Sequence, residues 1–303
     1  MVAQTLSAEV RELYPWSGNY LKVADGVRLH YLDEGNGETL LMVHGNPTWS
    51  FYWRNMVKEL SGRYRCIVPD HIGCGLSDKP QEYRYQLEDH VDNLVRLVEA
   101  LDLRNVTLIV HDWGGPIGYS TALRLPDRFK RFVVFNTLSR MGPFPLSIRM
   151  LRWPVIGPVL VRGFNGFVRF AMKKGTEKPE QFLGPVGAGY SAPYNNWKNR
   201  VAVQRFVEDI PIESSHPTKP FGDALERQLP EFAHLPHLII WGNQDFVFHH
   251  YFRDGWKEAV PNAEMHEFDH ANHFVVEDAF DDILPLVSDF LDRHELSEME
   301  TQA

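Results

Sequence analysis

The sequence predicts an α/β fold in which helices cover both faces of a mainly parallel sheet, and in which a helical segment interrupts the sheet-forming part of the chain. Two observations predict this fold. Short apolar runs alternate with helical stretches up to Asn136, as is typical of parallel sheets with helical crossovers. The alternation then stops, and it returns at the apolar run 237–241 after a segment rich in Pro, Gly, aromatic residues and Arg.

The individual strands and helices follow from local patterns. Alternating runs at 20–23 and 27–32 flank Asp25-Gly26, a dipeptide that is typical of hairpin turns. Further strands are predicted by the apolar runs 39–43, 64–68, 106–110, 132–135, 237–241 and 265–268. Helices are predicted over 51–60, 87–101, 116–125 and 278–294.

The interruption predicts two domains. A core domain is expected from 1–139 and 219–303, and a helical cap, or lid, from 140–218. The cap follows a strand at its carboxyl end, so we expect it to lie over the crevice where α/β sheets bind ligands.

The composition excludes several classes of protein. Of the 303 residues, 44% are hydrophobic and 23% charged, and the net charge of −9 argues against non-specific nucleic-acid binding. No run approaches ~18 uninterrupted apolar residues, which argues against a membrane span. The two cysteines form no disulfide framework, and residues 1–10 lack a basic stretch followed by an apolar one, so we expect a cytoplasmic protein. No metal-ligand spacing or phosphate loop is present, and we expect neither a metal nor a cofactor.

The most informative segment is 110–115, Val-His-Asp-Trp-Gly-Gly, which follows a buried-strand pattern and precedes a helical stretch. This is the layout of a strand, a sharp turn and a helix start, which forces the residue at the turn outward. Asp112 stands where serine is usual. A carboxylate nucleophile suits attack on an alkyl carbon, giving an ester that water must later hydrolyse. The alternative is that Asp112 only caps the following helix.

Two other loops that follow strands carry partners for Asp112. Asp245 follows the run 237–241, and His273 follows the run 265–268. The chain order of nucleophile, acid and histidine predicts a triad in which His273 acts as the base and Asp245 orients it. The loop after 132–135 carries Asn136 and no carboxylate, which favours Asp245 as the acid, while His270 is a rival base.

A further loop, 44–49, follows the strand 39–43 and reads His-Gly-Asn-Pro-Thr-Trp. The backbone N–H groups of Asn46 and Trp113 are predicted to form an oxyanion hole beside Asp112. Their side chains are neutral N–H donors that could hold a departing halide, whereas a fixed cation would pair with Asp112. The alternative is that Trp113 only packs and Asn46 only forms a turn.

These motifs resemble those of the haloalkane dehalogenase family. The resemblance covers nearly the whole chain, and the motifs that carry it are 44–50, 69–80, 111–115 and 273–274. The resemblance implies an α/β-hydrolase fold with a mostly parallel eight-stranded sheet and an inserted helical cap. It also implies a triad of Asp112, His273 and Asp245, with Asn46 and Trp113 binding halide. Asn at 46 with an acid at 245 resembles the third subfamily, which is similar to the β-lactone decarboxylases of bacterial olefin synthesis.

The residues and the resemblance together predict an enzyme that hydrolyses haloalkanes to a primary alcohol and halide through an ester on Asp112. The alternative is a β-lactone decarboxylase that forms long-chain alkenes from a strained ring ester. Epoxide hydrolase is third, because Tyr190 and Tyr194 could protonate an opening oxygen, and a non-catalytic ligand-binding protein is a fourth reading. The expected partner is a small apolar halogenated or β-lactone substrate, and assembly into a homo-oligomer is left open.

Two further patterns yield predictions. Apolar residues of the cap are expected to line an apolar pocket, with packing inside the cap as the alternative for each: Leu151, Trp153, Ile156, Val159, Leu160, Phe164, Phe167, Phe170 and Met172. The turn Gly-Cys-Gly at 73–75 is expected to hold a buried, inert Cys74 rather than a nucleophilic thiol.

Overall fold

The computed structural model describes residues 6–296, and it contains one eight-stranded sheet with the order β1-β2-β4-β3-β5-β6-β7-β8. The strands are β1 (Asn19–Ala24), β2 (Val27–Glu34), β3 (Thr39–Val43), β4 (Arg65–Pro69), β5 (Val106–Asp112), β6 (Phe129–Thr137), β7 (His237–Gly242) and β8 (Glu264–Phe268). The β1–β2 and β2–β4 pairs are antiparallel, and the other five neighbouring pairs are parallel. The predicted mostly parallel eight-stranded sheet is confirmed.

Helices precede, connect and follow these strands. The α-helices are α1 (Ala8–Leu13), α2 (Arg54–Leu60), α3 (Leu87–Ala100), α4 (Gly114–Arg124), α5 (Leu146–Met150), α6 (Ile156–Pro158), α7 (Gly166–Lys174), α8 (Pro185–Ser191), α9 (Val201–Glu208), α10 (Lys219–Gln228), α11 (His250–Ala259), α12 (Val275–Asp278) and α13 (Phe280–Arg293). A π-helical turn, Val159–Gly163, continues α6, and short 3₁₀ turns lie at Ser50–Trp53, Pro126–Arg128, Pro179–Phe182, Ala192–Tyr194, Lys198–Arg200 and Leu229–Phe232.

The sheet is buried on both faces. Along β3, Leu40 and Met42 point into one apolar cluster, while Leu41 and Val43 point into a second cluster on the opposite face. Helices α2 and α13 contribute to the first cluster, and α3 and α4 contribute to the second. The central strands therefore read as continuous apolar runs rather than as alternating ones, as expected for parallel strands between helices.

Two predicted helices are divided in the structure. The predicted helix 51–60 begins as a 3₁₀ turn, at which the N–H of Ser50 donates to Asp70 Oδ1 at 2.7 Å, and becomes α-helical at Arg54. The predicted helix 278–294 breaks at Ala279, between α12 and α13. Asp278 stands at this break because its carboxylate accepts hydrogen bonds from Asn272 and Glu177, outside the helix.

Between β6 and β7 the described chain contains helices and turns and no strand. We call residues 140–218 the helical insertion, and the domain boundaries 139/140 and 218/219 stay a prediction. No helix within residues 6–296 has the length and apolar character needed to span a bilayer. The cytoplasmic location also stays a prediction.

Candidate active site

Asp112 lies at a sharp turn between β5 and α4. Its backbone φ is 53°, a left-handed conformation that costs a residue other than glycine roughly 1–2 kcal/mol. Two glycines make the turn sterically possible. A Cβ atom on Gly114 would lie 2.1 Å from the carbonyl oxygen of Val43, and one on Gly115 would lie 2.0 Å from Thr137 Oγ1. The turn directs the Asp112 side chain toward a cavity above the sheet edge.

The loop after β3 contacts the carboxylate of Asp112. The backbone N–H of Asn46 donates to Asp112 Oδ1 at 2.6 Å, and the backbone N–H of Trp113 also donates to this carboxylate. Gly45 allows the close approach, since a Cβ atom there would lie 2.0 Å from Asp112 Oδ1. The two N–H groups predicted to form an oxyanion hole therefore converge on one carboxylate, and Oδ2 is left to face the histidine.

His273 lies between the two aspartates. Its Nδ1 is 2.9 Å from Asp245 Oδ2, and its Nε2 is 3.8 Å from Asp112 Oδ2. The other oxygen of Asp245 accepts the N–H groups of Val247 and Phe248, at 2.7 and 3.0 Å. Because the carboxylate of Asp245 is an acceptor only, a neutral His273 carries its proton on Nδ1 and presents the Nε2 lone pair to Asp112.

Burial and charge act in opposite directions on these groups. Burial disfavours the charged form of His273, but Asp245, and to a smaller extent Asp112, raise its pKa above the ordinary value. Burial raises the pKa of Asp112, whereas the charge of His273 and the N–H donors of Asn46 and Trp113 lower it. The effect of burial is the largest, and the pKa lies above its ordinary value. The Asp112 carboxylate is thus sparingly solvated, which favours attack on carbon.

The side chains of Asn46 and Trp113 both line the cavity. Asn46 Nδ2 donates to the carbonyl oxygen of Val203 at 3.3 Å, and the second hydrogen of that amide group stays available. Within residues 6–296, no acceptor is bonded to the indole N–H of Trp113. The structure therefore brings together all five predicted site residues, and the halide-binding roles of the two side chains stay a prediction.

The cavity has a volume of about 940 Å³, including its open mouth. Its floor is polar, where Asp112, His273, Asn46 and Trp113 meet. Its walls are almost entirely apolar and come from both the core and the insertion: Leu138, Phe144, Ile148, Phe167, Phe170, Ala171, Val207, Ile210, Pro211, Phe246, Val247 and Phe248. Such a site suits an apolar substrate that carries one reactive polar group.

The pocket prediction holds for only two of the nine apolar residues named for the cap. Phe167 and Phe170 line the cavity. The other seven do not line the cavity: five face solvent, which is contrary to both expectations, and two are packed, as the alternative expected. The exposed ones are Trp153, Ile156, Val159, Leu160 and Phe164, and those packed against the core are Leu151 and Met172.

The two tyrosines considered for epoxide opening do not line the cavity. Tyr190 is buried and donates to Glu277 Oε1 at 2.6 Å, and Tyr194 is buried and donates to the carbonyl oxygen of Thr48 at 3.2 Å. Neither hydroxyl can reach an oxygen atom of a substrate bound at Asp112 without leaving its partner. The geometry thus offers no support for epoxide hydrolysis.

The other rival residues are also placed outside the site. His270 is exposed, and its Nε2 is 3.5 Å from Asp282 Oδ2. His111 points away from the cavity, with its Nε2 bonded to the carbonyl oxygen of His273 at 2.8 Å.

Cys74 is buried, and burial raises the pKa of its thiol to about 12, which makes it a poor nucleophile. No group of three or more His, Cys, Asp or Glu side chains in residues 6–296 is arranged to hold a metal ion.

A junction between the insertion and the loop of His273 was not predicted. The N–H of Phe274 donates to the carbonyl oxygen of Gly175 at 2.6 Å, and Asn272 Nδ2 donates to Glu177 Oε1 at 2.7 Å. Asp278 accepts the hydroxyl of Thr176. No local pattern could have revealed these bonds, since they join residues about a hundred positions apart.

The fold and the site geometry define an α/β hydrolase with a carboxylate at the nucleophile position. A family model described as the alpha/beta hydrolase fold matches residues 38–280. The chain belongs to the α/β-hydrolase family, in the group that holds haloalkane dehalogenases and the related oxetanone decarboxylases.

Individual relatives span nearly the whole chain. A cis-3-alkyl-4-alkyloxetan-2-one decarboxylase of Shewanella oneidensis is 43% identical over 298 residues, which is 96% of this chain and 92% of that protein. Haloalkane dehalogenase 2 of Mycobacterium tuberculosis is 33% identical over 279 residues, 90% of this chain and 94% of the other. The crystal structure of haloalkane dehalogenase DatA from Agrobacterium tumefaciens C58 matches with a TM-score of 0.81 at 27% identity, covering 91% and 96% of the two chains.

Proposed function

We propose that this protein is a decarboxylase of cis-3,4-dialkyl oxetan-2-ones, that is, of β-lactones, and forms a long-chain alkene and CO₂. The observation that carries the proposal is the 43% identity to a relative of that name over 96% of the chain, against 33% to a haloalkane dehalogenase. This order reverses the ranking drawn from the sequence motifs, which both groups share. The large apolar cavity around one carboxylate supports a substrate with two alkyl chains.

The first step is displacement at the ring carbon C4. Asp112 Oδ2 forms a bond to C4 while the bond from C4 to the ring oxygen breaks, and the ring opens to a carboxylate attached to C3. Oδ1 stays on the N–H of Asn46, at 2.6 Å. The released carboxylate is an anion, so the neutral donors Trp113 Nε1 and Asn46 Nδ2 can stabilise it as they would a halide.

The second step is loss of CO₂ from the ester. The bond between C3 and the carboxylate carbon breaks, its electrons form the C3=C4 double bond, and Asp112 Oδ2 departs with the electrons of its bond to C4. Atoms and electrons balance without water, an oxidant or a second reactant. Displacement inverts the configuration at C4. The carboxylate carbon and Asp112 Oδ2 then depart from opposite sides of the C3–C4 bond. The two steps together convert a cis-disubstituted ring into a cis alkene.

Haloalkane hydrolysis is the second candidate function. It is favoured by the indole N–H of Trp113 at the cavity floor, which bonds to no acceptor within residues 6–296, and by the 33% identity to a dehalogenase. Here Asp112 displaces halide, and His273 then activates a water molecule that attacks Cγ of the ester. The oxyanion forms on Oδ1, which already accepts the N–H of Asn46, and the N–H of Trp113 donates to the same carboxylate.

The test compares both substrates on one enzyme preparation. A cis-3,4-dialkyl oxetan-2-one and a 1-bromoalkane of similar length are supplied, and alkene and bromide are measured, since the ratio of the two kcat/KM values reports discrimination. We expect the cis alkene to form with the higher kcat/KM, and bromide release to be slower. Bromide release without any alkene would overturn the decarboxylase proposal and leave the dehalogenase.

We expect Trp113→Phe to lower the rate of bromide release by about 10²–10³-fold, because one preorganised donor to a developing anion is removed. Trp197→Phe is the matched control, since Trp197 is exposed on the insertion and does not line the cavity. Bromide release is measured at saturating 1-bromohexane. A Trp113→Phe enzyme as active as the control would show that the indole N–H does not stabilise the leaving group.

We expect the hydrolysis of an alkyl ester on Asp112 to accelerate with rising pH, because only neutral His273 can accept a proton from water. Asp245 raises the pKa of His273, so Asp245→Asn should move the midpoint of this profile to lower pH. The plateau should fall by about 10⁴-fold, since the tautomer is no longer fixed. Single-turnover hydrolysis is followed across the pH range, with Asp254→Asn, which alters a half-buried carboxylate outside the cavity, as control. A midpoint that stays in place would contradict the assignment of Asp245.

A further inference from the structure

The insertion exposes a continuous row of large apolar side chains. Between 39 and 74% of each side chain is accessible to solvent in this row, which we call the apolar face: Trp153, Val155, Ile156, Val159, Leu160 and Phe164. Five of the six lie on α6, the π-helical turn after it and their flanking residues, about one turn apart. The opposite side of this helix is buried through Gly157 and Val161, so the helix is apolar on both sides. An exposed apolar patch of this kind marks a binding surface.

The insertion that carries the apolar face is rich in cations. The insertion holds eleven Lys and Arg against five Asp and Glu, a net charge of +6 in a chain whose total is −9. The stretch 146–174 holds six cations and no acidic residue. Within the described part of the chain, several exposed cations of the insertion form no salt bridge: Arg149, Arg169, Lys173, Lys174 and Lys198. The positive charge is therefore available to an external anionic partner.

The aromatic side chain of Trp197 contacts both a cation of the insertion and the helical turn that carries the apolar face. The guanidinium of Arg162 lies over the Trp197 ring, 4.7 Å from its centroid, and that ring also approaches Gly163. Trp197 is 46% exposed. Tryptophan with one apolar side and one polar edge is enriched where proteins meet the headgroup region of a bilayer.

The apolar face connects to the substrate cavity through α7. The π-helical turn runs into α7 after Phe164, and α7 carries Phe167 and Phe170 in the cavity wall. Phe170 is also 38% exposed, so the wall of the cavity reaches the surface on the same helix that carries Arg169 and Lys173. Helix α7 therefore contributes side chains both to the cavity wall and to the exposed surface of the insertion.

We propose that the apolar face and the cations of the insertion bind the surface of an anionic phospholipid bilayer. Apolar side chains enter the interface while Arg and Lys bind lipid headgroups, the combination that holds interfacial helices on membranes. Binding leaves the core domain, with its excess of acidic residues, directed away from the membrane. A second copy of the chain is a poor occupant, because a symmetric contact through this face would place like charges opposite each other. Binding does not depend on which bond Asp112 breaks.

The test is co-sedimentation of the full chain with vesicles. Wild type is mixed with vesicles of phosphatidylcholine containing phosphatidylglycerol, and with vesicles of phosphatidylcholine alone, at low and high NaCl. We expect binding to the anionic vesicles only, weakened by salt. Arg169→Gln with Lys198→Gln should lower the partition coefficient by about 30-fold, since each cation near an anionic surface contributes about fivefold.

Matched variants separate the two contributions. Ile156→Ser with Leu160→Ser should lower the binding by at least about tenfold, through lost apolar contact. The control is Lys58→Gln with Arg227→Gln, two exposed cations of the core, which should bind as wild type does. Thermal unfolding verifies that each variant is folded. Absence of wild-type binding overturns the proposal. So does concentration-dependent self-association that the Ser variants abolish, because that result assigns the face to contact between copies.

Discussion

The His273→Gln variant should form an alkyl ester on Asp112 with 1-bromohexane and then stop. Displacement of bromide needs only the carboxylate, but hydrolysis of the ester needs a base, and the Nε2 atom of His273 is 3.8 Å from Asp112 Oδ2. We expect steady-state bromide release to fall by about 10⁴-fold or more, while one equivalent of bromide is released in a burst. Mass spectrometry of the digested variant should find a hexyl group on the peptide that carries Asp112.

The same variant distinguishes the two candidate functions. Loss of CO₂ from the ester formed with a β-lactone consumes no water and needs no base. We therefore expect the rate of alkene formation to decrease by a factor at least about 10²-fold smaller than the factor by which bromide turnover decreases. His270→Gln, which alters an exposed histidine, is the control for both substrates. An unmodified Asp112 peptide in a variant that still releases the bromide burst would contradict the covalent mechanism.

The Asp112→Gly variant should lose both activities by about 10⁶-fold, because every proposed step forms or breaks a bond to this carboxylate. Its stability should behave differently from its activity. Asp112 has a φ of 53°, so glycine fits the turn without strain. We expect the free energy of unfolding of Asp112→Gly to exceed that of Asp112→Ala by about 1–2 kcal/mol.

Denaturant unfolding of the two variants and of wild type measures this difference, and product assays with bromoalkane and β-lactone measure activity. Because Asp112→Ala and Asp112→Gly both lack the carboxylate, their comparison isolates the backbone contribution. Residual alkene formation by Asp112→Gly near the wild-type rate would exclude Asp112 as the nucleophile. Equal stability of the Ala and Gly variants would show that the turn relaxes to a negative φ.

The polar floor of the candidate site could be located from sequence because it depends on local patterns. Asp112, Asp245 and His273 each follow an apolar run, and parallel strands bring the carboxyl ends of such runs to one edge of the sheet. The loop with Asn46 follows a fourth run at the same edge. The β-strand bounds differ from prediction by a few residues at most, since burial on both faces leaves long apolar stretches in the sequence.

The walls of the cavity could not be assigned in the same way. Apolar residues at helical spacing are ordinarily expected to face the interior. Around α6 the interior side is instead formed by Gly157 and Val161, and Ile156 and Leu160 face solvent. Short helices without a strand partner are oriented by contacts far away in the chain. Val203, which accepts a hydrogen bond from Asn46, is an example that no local pattern marks.

The hydrogen bonds between the insertion and the loop of His273 restrict how this enzyme can be recombined with its relatives. A chimaera with crossovers at 140 and 218 takes residues 175–178 from one parent and 272–278 from the other, so Glu177 and Asn272 would no longer be inherited together. We expect His273 to lose its alignment although Asp112, Asp245 and His273 are all retained. Exchange of 144–170 alone replaces cavity-wall residues such as Phe144, Phe167 and Phe170 and keeps both halves of the junction. Substrate range and catalytic alignment are thus separable by the choice of crossover points.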